Sequence, residues 1–123
     1  MGSASHDYYV YIVTNNTRST LYIGVTGDLL VRVWQHRAGE RPGTFSQRYH
    51  CAHLVYFEHY REIRDAIARE KQLKRWRREK KNALIATLNP QWADLAADWF
   101  DFVEPAGPAL REDKIRDPST GSG

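Results

Sequence analysis

Apolar and polar residues follow the period of strands at the start of the chain and the period of helices later. Tyr8-Tyr9-Val10-Tyr11-Ile12-Val13 is a run of aromatic and β-branched residues, which predicts a strand. A polar loop over 14–20 (TNNTRST) separates it from Leu21-Tyr22-Ile23-Gly24-Val25, a second strand expected to pair antiparallel with the first. Asp28 offers an N-cap oxygen and Gly39 a stop, so residues 29–38 read as a helix. Pro42 and Gly43 mark a loop over 41–49, and residues 53–60 (HLVYFEHY) read as a third strand. A long helix follows over about 62–80, with a helical continuation to Leu88, a stop at Pro90 and a last short helix over 91–100. The expected fold is α+β, a small three-stranded antiparallel sheet flanked by helices. Residues 1–7 read as a flexible N-terminus, 8–100 as the domain and 101–123 as an acidic, flexible tail.

Composition supports one packed domain: 123 residues, 41% hydrophobic and 12% aromatic, exclude disorder throughout. No apolar run approaches the roughly 20 residues of a membrane-spanning helix, and the polar N-terminus lacks the apolar stretch of a secretory signal. Cys51, the single cysteine, excludes an intramolecular disulfide and a Cys-rich zinc site, and it fits a reducing, cytoplasmic setting. The net charge of +3 conceals an uneven distribution. Residues 61–81 hold ten Lys/Arg against four Asp/Glu, whereas residues 94–123 hold three against seven. Such a basic segment is what a phosphate backbone would meet, and equally what a solvated helix face laced with ion pairs looks like.

Three positions break the structural pattern. Ile63, Ala66, Ile67 and Leu73 recur at helical spacing and mark a core-facing stripe, yet Glu70 occupies a position within it. A carboxylate there is paired, protonated or bound to a cation, or else the stripe is rotated so that Glu70 reaches water. In the helix over 29–38, Leu30, Val33 and Trp34 make the apolar side, while Arg32 and His36, four apart, project from one face. A guanidinium beside an imidazole suits phosphate recognition, although such pairs also stud ordinary helix surfaces. In the strands, Tyr9 shares a face with Tyr11 and Tyr22 with Gly24; a glycine inside a strand signals close approach of a backbone or ligand.

Taken in order, Tyr9-Val10-Tyr11, Tyr22-Ile23-Gly24, Arg32, His36, Glu70 and Asn89 make the chain resemble the GIY-YIG nuclease superfamily, in particular its small stand-alone bacterial members. Leu54-Val55-Tyr56-Phe57-Glu58, Arg69-Glu70-Lys71 and Lys74-Arg75-Trp76 share that likeness, which covers about residues 8–95. The first motif reads Tyr-Val-Tyr in place of Gly-Ile-Tyr and keeps its last tyrosine.

The resemblance implies a metal-dependent endonuclease that hydrolyses phosphodiesters of single- or double-stranded DNA, with a leaning to single-stranded or branched substrates. It implies that Tyr11 or Tyr22 orients or deprotonates the attacking water and that Arg32 binds the scissile phosphate. Glu70 would hold a single divalent cation, Mg²⁺ or Mn²⁺, His36 would assist proton transfer, and Asn89 would help order the site. Free tyrosine, with a pKa of about 10, is a poor base at neutral pH, and Lys71, Lys74 or a metal-bound water next to the phenol would lower it. Lys71, Lys74, Arg75, Arg77 and Arg78 would then carry the nucleic acid along the basic segment, and Phe45, Tyr49 and Trp76 are candidates for stacking on unpaired bases. The rival reading is a non-catalytic nucleic-acid-binding module that keeps the nuclease fold, although pure binding does not need Glu70. The stretch His50-Cys51-Ala52-His53 matches no zinc spacing, and Cys51 reads as a small apolar residue entering a strand.

Overall fold

The computed structural model describes residues 6–38 and 50–100. The expectations for the start of the chain (1–5), the Gly39 stop, the 41–49 loop with Phe45 and Tyr49, and the tail over 101–123 lie outside the described residues.

Three strands form one antiparallel sheet: β1 (Tyr8–Thr14), β2 (Leu21–Thr26) and β3 (His53–Tyr60), in the order β2-β1-β3. β1 is therefore central, and its composition shows why: Val10, Tyr11, Ile12, Val13 and Thr14 are all buried. A strand covered on both faces needs no polar alternation. The β1–β2 register sets Tyr11 opposite Gly24 and Val13 opposite Tyr22. Along β1 and β3 the pairing shifts between Ile12 and Val13, a bulge that leaves Val55 outside the one-to-one pairing.

Helices cover both faces. Helix α1 (Leu29–Ala38) begins where Asp28 accepts a hydrogen bond from the Val31 amide at 3.1 Å, the cap expected from the sequence. With the C-terminal turns, α1 covers the face of Tyr11 and Val13, joined there by Cys51, Leu54 and Ala96. The other face, Val10, Ile12, Ile23 and Tyr56, packs against Ala66 and Leu73 of α2 (Ile63–Arg75) and Ile85 of α3 (Arg78–Leu88).

Four local expectations change. The long helix breaks at Trp76 and Arg77, both extended, because Trp76 leaves the helical path to pack on the core beside α2. No helix forms over 91–100. Trp92 takes a positive φ of 55°, and Asp94 uses its carboxylate on the amides of Leu54 and Ala96, both at 3.1 Å, giving turns instead. On α2 the inward line is Ala66 and Leu73 only; Ile63 and Ile67 are exposed. On α1 the inward line is Leu29, Val33 and His36, with Leu30 and Trp34 exposed, so the expected apolar side is rotated. Trp34 packs edge-on to Phe100 at 5.1 Å instead.

Polar contacts join the layers. Arg37 of α1 pairs with Asp94 and donates to the Ala52 carbonyl at 3.3 Å, which ties α1 to β3 and the C-terminal turns. On the opposite face, Glu58 of β3 receives Arg69 of α2 through Nε at 3.0 Å and NH2 at 3.0 Å, Tyr56 Oη at 2.5 Å and Tyr60 Oη at 2.7 Å. Burial alone would push the Glu58 carboxyl up; the hydrogen bonds from Arg69, Tyr56 and Tyr60 outweigh it and hold the group below its ordinary range. Burial and the same carboxylate push Tyr60 up to about 12 and Tyr56 higher still, so both phenols stay donors.

Candidate active site

The sheet face under α1 gathers three aromatic rings. Tyr11, fully buried on β1, hydrogen-bonds through Oη to Nε2 of His36 on α1 at 2.9 Å. Tyr22, across the β1–β2 ladder, lies 5.2 Å from the His36 ring and 6.3 Å from the Tyr11 ring. Tyr11 and His36 are 5.5 Å apart, edge to face. Two tyrosines and a histidine, separated by up to 25 residues in sequence, thus form one contact group.

Gly24 explains the approach. A Cβ built there would lie 2.6 Å from Tyr11 Oη and 2.7 Å from Cζ, so the phenol occupies the space a side chain would take. The close approach expected at this glycine is that of Tyr11 itself.

Arg32 sits one turn before His36 on α1, half-buried, and its guanidinium makes no hydrogen bond or ion pair among the described residues. Its Nε is buried with no partner, as is Oε1 of Gln35 one turn on. A buried guanidinium donor without an acceptor carries a desolvation cost that a bound anion would remove.

Glu70 is half-buried on α2, with its side chain 17% exposed, and Lys74 one turn later pairs with Oε2 at 2.7 Å. Of the alternatives open in the sequence, pairing is what the structure displays. Lys74 also lines a cavity of about 320 Å³ at the free edge of β2, together with Leu21, Tyr22, Ile23 and Lys81. Tyr22 reaches this cavity from the α1 face, and the lysines reach it from α2 and α3, so the two layers of the site meet there. Among the described residues no group of three or more His, Cys, Asp or Glu side chains comes together as a metal site, so a cation at Glu70 would draw on at most one further side chain of those types there. That donor set fits a hard ion such as Mg²⁺ or Mn²⁺, which takes oxygen ligands and keeps several waters.

Asn89 stands apart from this group. Its Nδ2 donates to the carbonyls of Val55 at 3.1 Å and Ala93 at 2.8 Å, and its Oδ1 accepts from the Ala93 amide at 3.0 Å. Both polar atoms of the buried side chain are engaged with backbone, so Asn89 orders the turn after α3. Arg78 is also engaged: it donates to the carbonyls of Ser19 at 2.9 Å and Arg18 at 2.5 Å and to Asn82 at 2.9 Å, pinning the β1–β2 loop to α3. Lys71, Arg75 and Arg77 are exposed. Trp76 is half-buried against the core and carries two cations over its ring, Arg69 at 5.2 Å and Lys80 at 4.2 Å, which leaves little of it for a base to stack on.

Sequence reasoning missed Lys81, half-buried beside Tyr22, and the Glu58–Arg69 pin next to Glu70. A signal for the pin exists in the strand alternation: Tyr56, Glu58 and Tyr60 share one face, and an acidic residue between two aromatics there needs a partner. Cys51 is buried in the α1-side core, where burial pushes its thiol up to about 11, and His53 hydrogen-bonds to Asn16 at 2.6 Å.

The chain is similar to several known proteins. A UPF0213 protein of Haloquadratum walsbyi is 40% identical over 80 residues, 64% of this chain and 88% of that protein. A UPF0213 protein of Bacillus pumilus is 30% identical over 83 residues, 68% of this chain and 83% of its own, and one of Staphylococcus aureus 36% over 78, 63% and 93%. The solution NMR structure of a UPF0213 protein from Bacillus halodurans superposes with a TM-score of 0.46 at 22% identity, over 75% of this chain and 97% of that one. The model of the GIY-YIG catalytic domain matches residues 7–82, a stretch that contains Tyr11, Tyr22, Arg32, His36 and Glu70 but ends before Asn89. Because that match takes in the whole sheet, α1 and α2 and spans more than half of the sequence, the chain belongs to the GIY-YIG nuclease family.

Proposed function

We propose that the protein is a divalent-cation-dependent endonuclease that hydrolyses phosphodiester bonds in DNA. The observation that carries this reading is the buried, unpartnered Nε of Arg32, one helical turn from an imidazole hydrogen-bonded to a tyrosine. Binding alone would not require a proton acceptor beside the anion site; hydrolysis does.

In this reading Arg32 donates to a non-bridging oxygen of the scissile phosphate and stabilises the charge that builds on it. The Tyr11–His36 hydrogen bond supplies a route for the proton of the attacking water: the phenol oxygen faces an imidazole nitrogen that accepts a proton in one tautomer. Water oxygen bonds to phosphorus, its proton passes to the Tyr11–His36 pair, and the bond to the leaving oxygen breaks. Tyr22, packed on His36, holds that ring in place and borders the cavity where the strand would continue. A cation held by Glu70 would supply Lewis-acid stabilisation of the leaving oxygen. Lys71, Arg75 and Arg77 would contact flanking phosphates, with affinity that falls as salt rises. Single-stranded or branched DNA is the favoured substrate class.

The test is incubation of the purified protein with single-stranded, double-stranded and branched DNA in Mg²⁺ or Mn²⁺, beside Arg32→Ala and Glu70→Ala. Cleavage by the unsubstituted protein that both variants lose is expected. Cleavage that survives both substitutions rejects the site, and salt-dependent binding without cleavage in any cation makes the protein a binding module instead.

A further inference from the structure

Lys74 and Lys81 raise a question that the proposed chemistry leaves open. Two lysines line one cavity of about 320 Å³ at the free edge of β2, beside Tyr22. Their situations differ. Lys81 is half-buried, and its side chain makes no hydrogen bond or ion pair among the described residues. Lys74 is paired with Glu70 at 2.7 Å, although its own side chain is 54% exposed.

An ammonium group with no counter-charge among the described residues, on a lysine lining the same cavity as a second lysine, is available to an external anion such as a phosphate. A pair of residues four apart on a helix, with one partner mostly in water, is weak, and a divalent cation competing for the carboxylate displaces it readily. Glu70 cannot give its charge fully to Lys74 and to a cation at once. Once a cation takes the carboxylate, Lys74 stands free at the rim of the same cavity as Lys81.

We infer that Lys74 and Lys81 form a second phosphate subsite at the β2 edge, half blocked by the Glu70–Lys74 pair until a divalent cation engages Glu70. The ligand is a backbone phosphate of the nucleic acid next to the one Arg32 holds, so the inference rests on the nuclease reading and extends it. The subsite couples cation and nucleic acid thermodynamically: each tightens the other by the same factor. The protein thereby grips a strand most firmly when it is loaded for cleavage.

The test reads binding rather than turnover. Anisotropy of a short labelled single-stranded oligonucleotide is titrated with protein in EDTA and in Mn²⁺, with oligonucleotide integrity checked on a gel. Mn²⁺ affinity without DNA is measured by paramagnetic resonance. For the unsubstituted protein, Mn²⁺ should tighten DNA binding about fivefold or more. Lys74→Met should lose that enhancement and bind Mn²⁺ more tightly in the absence of DNA. Lys81→Met should leave Mn²⁺ binding unchanged and lower the salt slope of DNA binding by about one. Glu70→Gln should abolish Mn²⁺ binding yet bind DNA more tightly in EDTA than the unsubstituted protein, because Lys74 is released. DNA binding with full Mn²⁺ enhancement in Lys74→Met, or an unchanged salt slope in Lys81→Met, overturns the subsite. No DNA binding by the unsubstituted protein at low salt, with or without Mn²⁺, overturns the nuclease reading itself.

Discussion

Replacing Glu58 by glutamine removes the charge at the centre of the pin between β3 and α2 while keeping its shape. The carboxylate accepts from Tyr56, Tyr60 and both the Nε and NH2 of Arg69, and the Arg69 and Glu58 side chains are 23% and 16% exposed. Removing one partner of a fully buried pair costs about 3–5 kcal/mol, and partial exposure here reduces that to about 2–3 kcal/mol. The hydrophobic grip of α2 offers little compensation, since only Ala66 and Leu73 on it are buried. Urea unfolding of the two proteins should show an unchanged slope and a lower midpoint, and the melting temperature should fall by roughly 8–20 °C. Because the folded-state Glu58 carboxyl titrates below its ordinary value of 4.5, its contribution is fully present above that value. It is lost as pH falls through the lower folded value, so the gap between the two proteins should close in acid. A destabilisation under about 0.5 kcal/mol, or a gap that stays constant well below pH 4, would refute the reasoning.

Other substitutions probe separate features. Gly24→Ala places a methyl 2.6 Å from Tyr11 Oη and must push the phenol off His36; a loss of about 1–3 kcal/mol and of DNA cleavage is expected, measured by urea unfolding and a nicking assay. Arg78→Ala should lower stability by about 1 kcal/mol with the salt slope of DNA binding unchanged, whereas Arg75→Ala should flatten that slope without destabilising; reversed outcomes would exchange their roles. Burial holds the Cys51 thiol at about 11, so alkylation by iodoacetamide at pH 8 should be far slower in the folded protein than in urea, and equal rates would show that the α1-side core opens freely.

The legible parts of the fold are those with local causes. The β1–β2 hairpin, the span of α1 with its Asp28 cap, and β3 follow from residue type and spacing over a few positions, and the structure reproduces them. The break at Trp76 carries no proline or glycine to announce it, and the turns over 91–100 depend on Asp94 reaching Leu54, forty residues away in sequence. The site divides the same way. Arg32 and His36 share a helix turn and could be paired on the page, as could Glu70 and Lys74. Asn89 and Arg78 could not be sorted without knowing which backbone groups lay beside them.

What the sequence determined alone was the set of elements and the motif order that marks a nuclease family, because helix and strand periods and short-range caps are encoded within a few residues of where they act. Only the tertiary structure decided which polar groups are already spent and which remain open. Tyr11 meets His36 across the sheet–helix interface, Arg78 is consumed by a loop 59 residues away, and Lys81, beside Tyr22, has no counter-charge among the described residues. Partners of that kind are set by burial and long-range packing, where a charge must find whatever opposite group the fold brings within about 3 Å.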